Sequence, residues 1–250
     1  MCHTDESRPP APPVSLGVAD RTDLRLTAAD GTSFMAHAAR PEQPNGRGVV
    51  ILPDIRGLHQ FYRELAALYA DAGFHAIAID YFGRTADTDV RTDGEFDWQP
   101  HVAATTPQGI AQDTAAAVAH LRAEASPSAI FTVGFCFGGS NSWRQAGHGH
   151  GIAGAIGFYG GRPLERVGPW VPTMTAPLLM LLAGVDSTTP EEFDEFTELV
   201  RGKGIEVEKH TYPGAPHSFF DRSFADHSEA CADAWRRVLD FTERHTPADG

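Results

Sequence analysis

From residue 48 onward, short apolar runs alternate with segments of helical period, and this alternation constrains the fold more than any other feature of the chain. Residues 48–52 (GVVIL), 74–79, 129–133, 152–158 and 178–182 are dominated by Val, Ile, Leu, Phe and Ala. A strand with one wet face alternates apolar and polar side chains, whereas a strand covered on both faces reads as a continuous apolar run. Between these runs, residues 61–72, 107–125, 136–145 and 190–201 read as helices. The first of them carries Leu65, Leu68 and Tyr69 on one face and stops at Gly73. A further strand over 205–210 and a closing helix over 222–245 continue the pattern. Short buried strands joined by helices make a mostly parallel sheet with helices on both faces, an α/β fold. Two strands at 22–27 and 33–39 flank Asp30-Gly31 with no helix between them, so the sheet is expected to begin with an antiparallel edge.

The alternation shows no linker and no internal repeat, so residues 18–250 are read as one domain behind an irregular, Pro-rich lead-in at 1–17. In that lead-in, Cys2, His3 and Asp5 hint at metal ligation, but without a second cluster they are read as part of a surface tail. Residues 85–106 show no period, and a stretch of that length inside a compact domain is a candidate functional loop. The chain holds 33 acidic against 20 basic residues, net −13, with no basic stripe, which disfavours nucleic acid and anionic membranes as partners. Cys2, Cys136 and Cys231 are odd in number and far apart, so no disulfide framework is expected. With no apolar leader at the N-terminus, the reading is a reduced, cytoplasmic protein.

The chemistry concentrates at Gly134-Phe135-Cys136-Phe137-Gly138-Gly139, where strand 129–133 must turn into a helix. This is the G-x-C-x-G form of a nucleophile elbow. The sharp turn forces the nucleophile into a strained backbone conformation and needs small neighbours that a larger side chain would clash with. Cys136 then stands at a helix N-terminus, where the dipole and free N–H groups favour a thiolate and a developing oxyanion. A triad on such a sheet continues in the order acid, then histidine. Asp186 follows strand 178–182 at the sheet edge where sites form, and Thr188 or Thr189 is better placed than Asp186 to cap the next helix. His217 sits in the loop Gly214-Ala215-Pro216-His217-Ser218-Phe219, before the last helix. His148 and His150, in GHGHG, are expected to be exposed loop residues, and Cys231, mid-helix, to be a packing residue.

These three segments, in this order, resemble the dienelactone hydrolase family of α/β-hydrolases over roughly residues 25–245. The resemblance implies an α/β-hydrolase fold with an eight-stranded sheet and a Cys136–His217–Asp186 triad. It implies hydrolysis of an enol-lactone or activated ester through an acyl-thioester, with no metal or organic cofactor. It implies oxyanion donors at Phe137 and Ile55, an acidic residue, here Asp54, beside the resting thiol, and a substrate-carboxylate arginine at Arg84. The family's second such arginine falls four residues after the histidine, where this chain has Asp221, with Arg222 one place later. The expected partner is a small ester or lactone, and the expected assembly is a monomer or weak dimer. Two other readings stay open at this point: a Cys-dependent carboxylesterase or thioesterase on a secondary metabolite, and a non-hydrolytic binding or lactone-rearranging protein on the same scaffold.

Overall fold

The computed structural model describes residues 4–92, 94–221, 223 and 225–247. Eight strands form one sheet: β1 Val18–Thr27, β2 Ser33–Pro41, β3 Arg47–Leu52, β4 His75–Ile79, β5 Ala129–Phe135, β6 Gly154–Phe158, β7 Leu178–Val185 and β8 Val207–Pro216. Their order is β1-β2-β4-β3-β5-β6-β7-β8. β1 with β2 and β2 with β4 are antiparallel, and every later pairing is parallel. The helices are α1 Gln60–Asp71, α2 Trp98–Ala104, α3 Pro107–Ala125, α4 Phe137–Gln145, α5 Pro163–Arg166, α6 Pro190–Gly202 and α7 Ser228–Arg244.

Strand periodicity divides the core in two. Val49, Ile51, Phe131, Val133, Leu179 and Leu181 face Phe61 and Leu65 of α1 and Trp235 and Phe241 of α7. Their neighbours Val50, Leu52, Ile130, Leu178 and Met180 face Ile110 and Leu121 of α3, Trp143 of α4 and Phe196 of α6. The continuous apolar runs are therefore strands with a helical layer on each side.

Three local readings change. The aperiodic stretch 85–106 contains α2, a two-turn helix none of whose residues is buried, so it carries no apolar stripe for a periodicity to reveal. Strands β7 and β8 run on to Val185 and Pro216, which carries Asp186 and His217 to the sheet edge directly. The lead-in is irregular but tied down: Ser7, Pro9 and Pro10 are buried, the Arg8 N–H donates to Asp221 Oδ1 at 3.1 Å, and the Trp235 indole N–H donates to the Pro10 carbonyl at 2.9 Å. Cys2 and His3 lie outside the described residues, and Asp5 accepts from His59 Nε2 at 2.7 Å. No described helix is long and apolar enough to cross a membrane.

Candidate active site

The site forms where β5, β6, β7 and β8 end. At the exit of β5 the chain reverses through Cys136, at φ 54° and ψ −114°, and enters α4. A non-glycine residue held at positive φ costs about 1–3 kcal/mol and persists only where its surroundings over-determine it. Here the glycines do so. A Cβ on Gly134 would meet the Gly138 carbonyl oxygen at 1.9 Å, and one on Gly138 would meet the Leu52 carbonyl oxygen at 2.1 Å. The first turn of α4, which carries the Phe137 N–H, is thereby pressed against the β3 exit turn that carries Ile55. The Cys136 N–H donates to the Phe158 carbonyl at 3.0 Å, locking the elbow to the end of β6.

His217 follows β8 directly, and its Nδ1 lies 2.7 Å from Asp186 Oδ2. Asp186 Oδ1 accepts from the Ser187 N–H at 2.7 Å. Burial by itself would raise the Asp186 carboxyl pKa, but the hydrogen bond and charge of His217, with the Ser187 N–H, outweigh it and hold the group below the usual carboxylate range. The helix cap falls to Thr189, which accepts from the Glu192 N–H, while Thr188 accepts from the Arg162 N–H. Below the loop, Phe219 and Phe220 are fully buried, and Phe135, Phe158 and Phe220 stack at 4.6–5.8 Å. This aromatic floor fixes the height of the histidine loop above the sheet. Tyr159 is a site residue that sequence reasoning passed over. It follows β6 at φ 37°, is buried, and sets its ring 5.0 Å from that of His217. The Gly160-Gly161 pair after it, at the same sheet edge, was the available signal.

The remaining expected residues fall less simply. Asp54 is fully buried, and its carboxylate accepts from the Arg56 backbone N–H at 2.9 Å and from the Arg56 guanidinium at 3.3 Å through both oxygens. The turn is further pinned by the Asp54 N–H donating to the Tyr62 hydroxyl at 3.0 Å and by the Tyr81 hydroxyl donating to the Pro53 carbonyl. Arg84 turns away from the role expected of it. Its guanidinium donates to both oxygens of Asp113 at 2.8–3.1 Å and to Asp30 at 2.6 Å, joining α3 to the β1–β2 turn. Asp221 faces the lead-in, through Arg8 and the Ser223 N–H. Arg222 lies outside the described residues. His148 and His150 correct the expectation of exposure: both are half-buried, His150 contacts Gln145 Oε1 at 2.9 Å and burial pushes its pKa down to about 4, while His148 packs on Trp170. Cys231 is buried, and its thiol is pushed up to about 11 by burial. The described residues that gather like metal ligands, Glu206, Glu208 and His245, lie at the start of β8 and after α7, with Arg244 on both carboxylates.

The family model described as "Dienelactone hydrolase family" matches residues 34–246, from β2 through the end of α7. The chain belongs to the dienelactone hydrolase family. It is therefore a hydrolase of that type on an α/β-hydrolase fold. It is 28% identical to the carboxymethylenebutenolidase of Pseudomonas putida, with 87% of this chain and 94% of that protein covered. A dienelactone hydrolase-like promiscuous phosphotriesterase from metagenomic libraries superposes with a TM-score of 0.72 at 24% identity, covering 89% of this chain and 98% of that one. An esterase from Pyrococcus furiosus has the same fold, with a TM-score of 0.67 at 16% identity over 96% of this chain and all of that one.

Proposed function

We propose that this dienelactone hydrolase family member cleaves enol-lactones or activated carboxylic esters with Cys136 as nucleophile, His217 as general base and acid, and Asp186 as orienter. The observation that carries this reading is the 2.7 Å His217–Asp186 pair at the sheet edge where the strained Cys136 elbow opens α4. Asp186 holds one ring nitrogen of His217, and the other carries the proton traffic. His217 takes the thiol proton as Cys136 sulfur bonds to the carbonyl carbon. The carbonyl oxygen becomes an oxyanion, stabilised by the Phe137 and Ile55 N–H groups; losing one such donor typically slows a reaction by about 10²–10³. Collapse breaks the acyl C–O bond, and His217 returns its proton to the leaving enolate or alkoxide. A water, deprotonated by His217, then attacks the thioester and releases the acid and the thiol. A thiolate is itself a good leaving group, so substrates whose oxygen departs readily, such as enol and aryl esters, suit this nucleophile better than amides do.

The test is turnover of p-nitrophenyl acetate and an enol-lactone by the protein and by Cys136→Ala, with intact mass measured during turnover. An acyl adduct on Cys136 and loss of turnover in the variant are expected. Full activity in Cys136→Ala overturns the nucleophile, and ligand binding without any turnover favours a binding protein on this scaffold.

A further inference from the structure

Arg84 is bound to Asp113 and Asp30, Arg91 to Asp80 and Arg56 to Asp54. In a chain of net charge −13, three other sheltered arginines break this rule among the described residues: Arg47, at the start of β3, whose Nε donates to the Thr246 hydroxyl at 3.0 Å, and two that lie together. Arg144, 8% exposed, near the end of α4, and Arg166, half-buried at the end of α5, have no carboxylate at ion-pair distance among the described residues. Glu165, the nearest acid in sequence, pairs with Arg162 at 3.0 Å. The two arginines sit against each other: Arg144 Nε donates to the Arg166 carbonyl at 3.0 Å while its guanidinium lies 4.8 Å from the Trp170 ring. Two like charges withdrawn from water with no acid between them are unfavourable unless an anion joins them.

The place they occupy is a cavity of about 220 Å³, lined also by Phe137, Asn141, Thr106 and Ile110. Phe137, Asn141 and Arg144 follow one another at spacings of four and three, so one face of α4 leads from the residue next to Cys136 to the arginines. Asn141 is 1% exposed, and its Oδ1 has no hydrogen-bond partner among the described residues. A buried acceptor in that condition is a place for a ligand hydroxyl or a water. Burial and the neighbouring guanidinium lower the Arg144 pKa to about 10, and burial and Arg162 lower that of Arg166 against the pull of nearby negative groups, Glu165 among them.

We propose that Arg166 and Arg144, with Asn141, form an anion subsite beside Cys136 that receives a carboxylate carried by the substrate, in the place of Arg84. The proposal rests on the hydrolase reading and narrows it to anionic esters or lactones. Arg166 is the binding residue to remove first, because Arg144 also supports α4 against Trp170.

The first measurement is kcat/KM for p-nitrophenyl hemiglutarate divided by that for p-nitrophenyl valerate. Arg166→Met is expected to lower this ratio by about 10–100-fold, the range of a lost charge-assisted hydrogen bond, with Arg166→Lys in between. An unchanged ratio overturns the subsite, as does a ratio that falls in Arg84→Met and not in Arg166→Met. The second measurement needs no turnover: the rate of Cys136 alkylation by iodoacetate relative to iodoacetamide. Arg166→Met should lower that ratio about tenfold, whereas general damage to the fold would move both rates together. A falling alkylation ratio in a protein that hydrolyses no ester keeps the subsite and overturns the hydrolase. Ester hydrolysis with both ratios unchanged does the reverse. If neither reagent labels Cys136, calorimetry with glutarate decides the subsite: binding lost in Arg166→Met supports it, and no binding to the parent protein overturns it.

Discussion

Cys136 and Cys231 share a side chain and differ in everything that decides reactivity. Cys136 is half-buried at a helix N-terminus, whereas Cys231 is buried in α7 with its thiol donating to the Phe219 carbonyl at 3.3 Å and its pKa pushed up to about 11. Nucleophilicity follows the thiolate, so one equivalent of iodoacetamide should label Cys136 ahead of Cys231 by peptide mass mapping and abolish activity; labelling at Cys231 with activity retained would refute this. Asp186 yields a pH prediction. Its carboxyl is held below the ordinary value, so it contributes stability above its unfolded pKa of about 3.9, and that contribution is lost as pH falls through the lower folded pKa. The melting-temperature gap between the parent and Asp186→Asn should be widest at pH 6–7 and close in acid, as read by scanning calorimetry. In the same variant kcat should fall by roughly 10²–10⁴, since the imidazole loses its orienter.

At the scale of elements, the elbow is a packing problem between α4 and the exits of β3 and β5. Gly138→Ala forces a Cβ onto the Leu52 and Pro53 carbonyl oxygens at 2.1 and 2.3 Å, and neither is a flexible side-chain end. A loss of about 3 kcal/mol or more is expected, at or beyond the usual upper end for overpacking. Gly202→Ala, where a Cβ meets nothing within 4 Å, should be neutral or stabilise by up to about 1 kcal/mol. Urea unfolding of the two variants separates them. The Arg84–Asp113 pair is the second element-scale joint. Asp113 is fully buried, and burial raises its carboxyl pKa to about 6 against the pull of Arg84. Arg84→Met should cost about 3–5 kcal/mol by stranding that acid, and adding Asp113→Asn should restore much of the loss. Charged and neutral substrates should suffer alike, which steady-state kinetics on both will show.

For the whole molecule, the N-terminal lead-in closes the α1–α7 side of the sheet. It supplies the Pro10 carbonyl to the buried Trp235 indole, the Arg8 N–H to the buried Asp221, and Asp5 to the buried His59 that caps α1. Deleting the chain up to Pro10 should lower stability by about 2 kcal/mol or more, since each of these groups loses one of its hydrogen bonds. The urea midpoint should fall, as denaturant titration of the full and shortened chains will show. A deletion that leaves the midpoint unchanged would show that these contacts contribute nothing net.

Periodicity and steric necessity are properties of adjacent residues, and they determined the layered α/β sheet, its antiparallel beginning and the elbow at Cys136. A continuous apolar run has to be covered twice, and Gly-x-Cys-x-Gly-Gly leaves few other turns. Asp186 and His217 were legible for the same reason, each lying just past a strand whose end defines the edge. The partner chosen by each charged side chain was not legible, because an arginine pairs with whatever acid the topology brings near. Only the fold could set Asp113 of α3 and Asp30 of the first turn around Arg84, residues 29 and 54 positions away. By the same logic it turned Asp54 to Arg56 and set Arg144 and Arg166 side by side without an acid. The helix at Trp98–Ala104 and the anchored lead-in escaped notice because exposed helices and proline-rich segments carry no period. What holds them is contact with distant parts of the chain, and that exists only once the sheet has formed.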